Sequence, residues 1–180
     1  MGISRVGLFN LVLIVVLAGT SAASQLPSLA GIWVPDAAAS THSKELKGKA
    51  GEPAAPPAPS TGIQDHLPTT RITHVEPRLT VEFVGEDGKV ISKLELTTDG
   101  KENVNPRAGG ELAHKSVSTW VGDTLRTTWR IERDGKVGIS GVDERELTAP
   151  DTLVITTTTE DSKSRSRSVI VYHRSNPFRG

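Results

Sequence analysis

Apolar and polar positions alternate with a period of two along most of the chain after residue 70. The clearest case is Thr124–Arg133, where Leu125, Thr127, Trp129 and Ile131 interleave with Arg126, Thr128, Arg130 and Glu132. One apolar-leaning and one charged face define a strand that buries one side. Gly122-Asp123 and Asp134-Gly135 punctuate its two ends, so it is the middle strand of a meander. The same reading predicts strands over 29–34, 71–76, 79–83, 90–97, 113–121, 136–147, 153–159 and 166–173. Thr98–Gly110, rich in Gly, Asn, Asp and Pro, reads as a connection. Gly138 and Gly141 interrupt the strand over 136–147 and mark a bulge or a tight bend.

No convincing amphipathic helix follows the N-terminal leader, and short turns join nearly all the strands. The predicted fold is therefore all-β: an antiparallel up-and-down meander of eight or nine strands. Closing such a sheet into a lipocalin-like barrel covers its apolar face and removes two bare edges. A β-sandwich is the alternative.

Two hairpin registers follow from turn length. A two-residue turn at Gly122-Asp123 pairs Trp120 with Leu125, Ser118 with Thr127, Ser116 with Trp129 and His114 with Ile131, all on one face. A four-residue loop at Gly85–Gly88 pairs Phe83 with Val90, Val81 with Ser92 and Leu79 with Leu94.

The first residues change the picture of where the chain resides. Arg5, the apolar run Val6–Gly19 and the small residues Ser21-Ala22-Ala23 have the order of a secretory leader, so residues 1–23 are read as a signal peptide. The apolar run falls short of the roughly 20 residues that span a bilayer. An uncleaved anchor is the other reading, and no membrane span is expected once the leader is removed. The expected location is periplasmic or extracellular. Cysteine is absent, which excludes thiolate catalysis, Cys-based metal sites and disulfides. Lys+Arg and Asp+Glu both number 21, so no strong field favours nucleic acid.

Four segments organise the 180 residues. After the leader, 24–39 carries a first strand around Gly31-Ile32-Trp33, ended by Pro35-Asp36. Residues 40–70 hold Pro53, Pro56, Pro57, Pro59 and Pro68 and read as a mobile Pro-rich loop, or as a docking segment for an envelope protein. Residues 71–176 form the main meander and make one barrel with 24–39.

Gly31-x-Trp33 resembles the Gly-x-Trp motif that opens lipocalins. The resemblance implies that Trp33 lies across the barrel floor beneath an Arg, with Arg174 the first candidate and Arg167 the second. Thr98-Asp99-Gly100-Lys101-Glu102, Asn105, Trp120-x-Gly122-Asp123-x-Leu125, Glu146-Leu147 and Val171-Tyr172 resemble a family of uncharacterised secreted bacterial proteins with lipocalin-like barrels. The resemblance covers most of the chain beyond the leader except the Pro-rich loop, and it implies export and a barrel but no activity.

The predicted inner face makes Trp33, Ser116, Ser118, Trp120, Leu125, Thr127 and Trp129 candidates to line a site for a small apolar or amphipathic ligand. The alternative is a filled barrel whose Ser and Thr bond across the sheet, serving as an interaction or assembly module. No catalytic motif is present: Gly-x-Ser-x-Gly and phosphate-cradling loops are missing, and Glu111-x-x-His114 lacks the second His of a zincin. No cofactor and no metal are expected. His74, His114 and His173 have no short ligand spacing, and Asp143, Glu144 and Glu146 read as an acidic edge with Asp143 on the face opposite the other two.

Overall fold

The computed structural model describes residues 26–47, 58–60, 67–106 and 111–175, with backbone only at 58–60. The leader expected over 1–23 and most of the Pro-rich loop lie outside the described residues. The described residues form eleven strands: β1 (Gly31–Leu46), β2 (Ala58–Ser60), β3 (Thr69–Val75), β4 (Arg78–Val84), β5 (Val90–Thr97), β6 (Asp99–Pro106), β7 (Leu112–Val121), β8 (Thr124–Arg133), β9 (Lys136–Ala149), β10 (Thr152–Asp161) and β11 (Ser164–Arg174). Their order is β5-β4-β3-β1-β11-β10-β9-β8-β7-β6, with β2 appended to β1, and every pairing is antiparallel. The chain is an all-β, up-and-down barrel.

Ten strands run round the wall, against the eight or nine expected. The extra one is β6, which replaces the predicted connection over 98–110. Its composition disfavours a strand, yet its backbone pairs with β7 alone, and a one-sided strand tolerates Pro106. The first strand is also longer than expected. Asp36 does not end it: Asp36 Oδ1 accepts from the N–H groups of Ala38 and Ala39, both at 3.0 Å. Ser40 Oγ donates to the Asp36 carbonyl at 2.6 Å and accepts from Val171 N at 3.0 Å. These side-chain bonds carry the strand through a register shift, and it rejoins β11 from Thr41 to Leu46. Residues 40–46, expected in the loop, are therefore wall, and β1 is held on both sides by β3 and β11.

The β7–β8 hairpin has the register derived from its two-residue turn, with Gly122 at φ 60°. The β4–β5 hairpin does not. Val84 pairs with Val90 and Phe83 with Ser92, because Ile91 is bulged out. From Ser92 onward the shift is two residues, which keeps Ser92, Leu94 and Leu96 on their predicted face, so alternation alone could not detect it. On β9 one of the two glycines marks a bulge as expected, and the other has a different role. Gly138 is the bulged residue, skipped where Ile131 pairs with Ile139 and Glu132 with Val137. Gly141 is a close approach: a Cβ there would lie 2.5 Å from both the Thr158 carbonyl and Trp129 Cζ2.

β5 and β6 meet at a seam. They follow one another in the chain but share no backbone ladder. The side chain of Asn105 bridges them instead: its carbonyl accepts from Glu95 N at 2.8 Å, and its amide donates to Glu95 O at 2.9 Å. One side chain thus makes the two bonds that a paired backbone residue would make.

One end of the barrel is filled. Leu29, Trp33, Ile72, Leu79, Val81, Leu96, Leu125, Leu153, Ile155 and Tyr172 form its buried core, with Trp120, Leu147 and Ile170 packed against it. Each such large side chain contributes roughly 1.5–3 kcal/mol on burial. Trp33 Nε1 donates to Leu29 O at 3.0 Å, and the Arg174 guanidinium carbon lies 4.3 Å from the centroid of the Trp33 ring. Arg174 also donates to the carbonyls of Ala30 at 2.5 Å and Pro150 at 3.2 Å, tying the chain before β1 to the β9–β10 turn.

Candidate functional site

Above the filled end the interior turns polar. The paired registers place Ser118, Thr127, Asp143, Thr157, Ser168 and His42 side by side on six neighbouring strands, β7, β8, β9, β10, β11 and β1. They form a transverse belt. Ser118 Oγ and Thr127 Oγ1 are 2.9 Å apart, and His42 Nδ1 and Ser168 Oγ are 2.7 Å apart. Thr157 Oγ1 donates to Asp143 Oδ1 at 3.0 Å.

Arg145 rises into this belt from the row below. Its row neighbours are Trp120, Leu125, Ile155 and Ile170, all apolar. Its side chain is only 3% exposed and reaches upward, with Nη1 donating to Thr127 at 3.1 Å and Nη2 to Asp143 Oδ2 at 2.9 Å. Trp129 Nε1 donates to Asp143 Oδ1 at 3.0 Å. A charged pair so placed costs desolvation and persists only when its remaining groups are bonded. Asp143 meets that condition with three donors. Arg145 Nε and Ser116 Oγ are buried with no protein partner, and buried donors of this kind call for a water or a ligand.

A cavity of about 720 Å³ opens above the belt, within the size range of small-molecule sites. Phe83, Leu94, Trp129 and Ile131 give it apolar walls, while Asp143, Thr157, His114 and Asn105 add polar groups. Its lining runs across the seam, from Ser92 on β5 to Asn105 on β6. Trp129 is stacked on His114 at 5.7 Å between ring centroids and 26° between planes, which presents a flat surface.

The seven residues read as candidate lining divide among three levels. Trp33, Trp120 and Leu125 belong to the filled end. Ser118 and Thr127 are in the belt. Ser116 pairs with Trp129 on the next row, and of the seven the cavity lining contains Trp129. Trp120 turns its N–H outward to Glu76 Oε1 at 2.7 Å and stands 6.0 Å from the His74 ring. Glu76 also accepts from Thr98 and contacts His74 Nε2 at 2.9 Å. Burial alone would raise the Glu76 carboxyl, but the bonds from Thr98, Trp120 and His74 outweigh it and hold its pKa below the ordinary 4.5.

The acidic-edge reading of β9 needs correction at Asp143. Asp143 lies on the face opposite Glu144 and Glu146, as alternation required, but that face is the interior and not an edge. Arg145 shares it, and sequence reasoning missed it. The available signal was parity: Asp143, Arg145 and Leu147 fall on one face, and Leu147 is apolar. Among the described residues, no group of three or more His, Asp or Glu side chains is placed to hold a metal ion.

These features define a class: an up-and-down β-barrel with a packed floor, a polar belt and a cavity above it. No family model matches the chain, and no curated protein matches it. Among solved structures, the crystal structure of a point mutant of the fluorescent protein UnaG is similar to it. The two are 19% identical, the match covers 82% of this chain and 96% of that one, and the TM-score is 0.49.

Proposed function

We propose that the protein is an exported, non-catalytic, lipocalin-like barrel that binds a small amphipathic molecule in the cavity beside Trp129. One observation carries the reading: Asp143, held in a buried ion pair by Arg145 beneath it, faces a cavity that has apolar walls and a few polar groups. A filled barrel gains nothing from such a pair, since apolar residues of similar volume would serve stability as well or better. Binding sites, by contrast, combine apolar walls with a few fixed polar groups. Export is the role implied by the leader-like N-terminus and the resemblance to secreted bacterial barrels.

The test is titration of the purified protein with fatty acids, isoprenoids and aromatic alcohols, read by tryptophan fluorescence and calorimetry. Binding that shifts Trp129 emission and disappears in Trp129→Phe is expected. Absence of binding across the panel would overturn the reading. Export is checked separately, by locating the full-length chain in fractionated cells and sequencing its mature N-terminus.

A further inference from the structure

We infer that the cavity selects a flat, neutral molecule bearing a hydroxyl donor, with the hydroxyl on the Asp143 carboxylate and the ring against Trp129. This deepens the binding reading above and rests on it. A carboxylate offers about four lone-pair sites. Asp143 Oδ1 receives Trp129 Nε1 and Thr157 Oγ1, both at 3.0 Å, and Oδ2 receives Arg145 Nη2 at 2.9 Å. One site on Oδ2 is left, and Asp143 lines the cavity. Thr157 has given its single proton to Asp143, so its oxygen can only accept from a newcomer. The polar spot therefore asks for a donor.

The sign of the charge follows from the same contacts. An anion would face the Asp143 carboxylate. Arg145, which could attract it, lies below the belt, commits Nη1 and Nη2 to Thr127 and Asp143, and is absent from the cavity lining. Lys93, at the seam, is held by Glu95 at 2.7 Å. A cationic amine would leave water for a carboxylate whose charge the Arg145 guanidinium already balances, so its desolvation would not be repaid. A neutral hydroxyl meets neither penalty. Flatness is set by the wall, since the Trp129 indole is backed by the His114 ring.

The experiment compares four ligands that share one ring: 2-naphthol, 2-methoxynaphthalene, 2-naphthoate and 2-naphthylmethylamine. Each is titrated calorimetrically into the full chain at neutral pH. The expected result is tightest binding of 2-naphthol, by roughly ten-fold or more over 2-methoxynaphthalene, the factor that a hydrogen bond to a buried charge supplies. Equal binding of those two, or tighter binding of the naphthoate or the amine, would overturn the donor assignment while leaving the cavity a binding site. Failure of all four, together with failure of the wider panel above, would remove both readings. The paired variant Asp143→Leu/Arg145→Met adds a second arm, its fold checked by circular dichroism. In it the preference for 2-naphthol over its methyl ether should fall to about one-fold, and persistence of the preference would overturn the proposal. If that variant does not fold, the wild-type series decides alone.

Discussion

Replacing Arg145 by methionine removes a charge while nearly preserving the apolar stem that fills its row. Arg145 makes two side-chain bonds, to Thr127 at 3.1 Å and to Asp143 at 2.9 Å, and is 3% exposed. Breaking one side of a buried pair costs about 3–5 kcal/mol, because the other charge stays buried and uncompensated. Asp143 is 16% exposed to the cavity and keeps Trp129 and Thr157 as donors, which softens the penalty. Arg145→Met should therefore destabilise by about 2–4 kcal/mol. Asp143→Leu leaves the more deeply buried guanidinium with Thr127 alone and should cost more, about 3–5 kcal/mol. Making both changes removes the pair entirely, and that variant should lie within about 1 kcal/mol of wild type or above it. The assay is urea unfolding at pH 7, followed by tryptophan fluorescence and far-UV circular dichroism, assembled as a double-mutant cycle. A coupling energy of several kcal/mol is expected. If the double variant instead costs the sum of the two single ones, the groups are energetically independent and the ion pair does not organise the belt.

Three further outcomes follow from the geometry. Gly141→Ala puts a methyl group against the Thr158 carbonyl and the Trp129 ring and should cost about 1–3 kcal/mol, with a shift in Trp129 emission; unchanged stability and spectrum would mean that the strand accommodates it freely. Asn105→Ala should lower stability by only about 1 kcal/mol yet speed hydrogen exchange at the Glu95 amide, leaving the β7–β8 amides protected; unaltered exchange at Glu95 would mean that the seam is held by something else. Because the folded-state pKa of Glu76 is depressed, the unfolded chain takes up the proton first as pH falls. The stability that Glu76 contributes is thus whole above about pH 4.5 and is lost as pH drops through the lower folded value. Unfolding measured from pH 6 to pH 3 should show a shallower acid decline in Glu76→Gln than in wild type, and identical slopes would refute that role.

The sequence made the walls legible wherever two local signals agreed. Gly122-Asp123 fixed a turn, and Leu125, Thr127, Trp129 and Ile131 fixed a face, so the β7–β8 register could be derived in full. It was illegible where side chains stand in for backbone or where composition misleads. β6 has the residues of a loop, and it is wall because β7 pairs with its backbone while Asn105 replaces a ladder on its other side. β1 continues past Asp36 through bonds made by Asp36 and Ser40, which no periodicity records. The belt was half visible. Ser118 and Thr127 belong to a strong hairpin, but Asp143 and Arg145 sit in a charged run whose identity suggests water, and only the closed barrel turns their face inward. Thr157, Ser168 and His42 join the row through pairings between segments distant in the chain, up to 126 residues for His42 and Ser168.

The position of β1 between β3 and β11 has a consequence in time. A chain emerging from its N-terminus can form the β3–β5 and β6–β11 hairpins as each is completed, since their pairings are local. β1 must wait for β11, whose register with it joins Trp33 to Arg174. Contacts of such long sequence separation pay loop-closure entropy first and form late. The floor under Trp33 and the His42 end of the belt therefore come into being only after the last strand is free. The barrel therefore cannot close before β11 is free, and the same contact that delays closure then joins the two halves of the sheet.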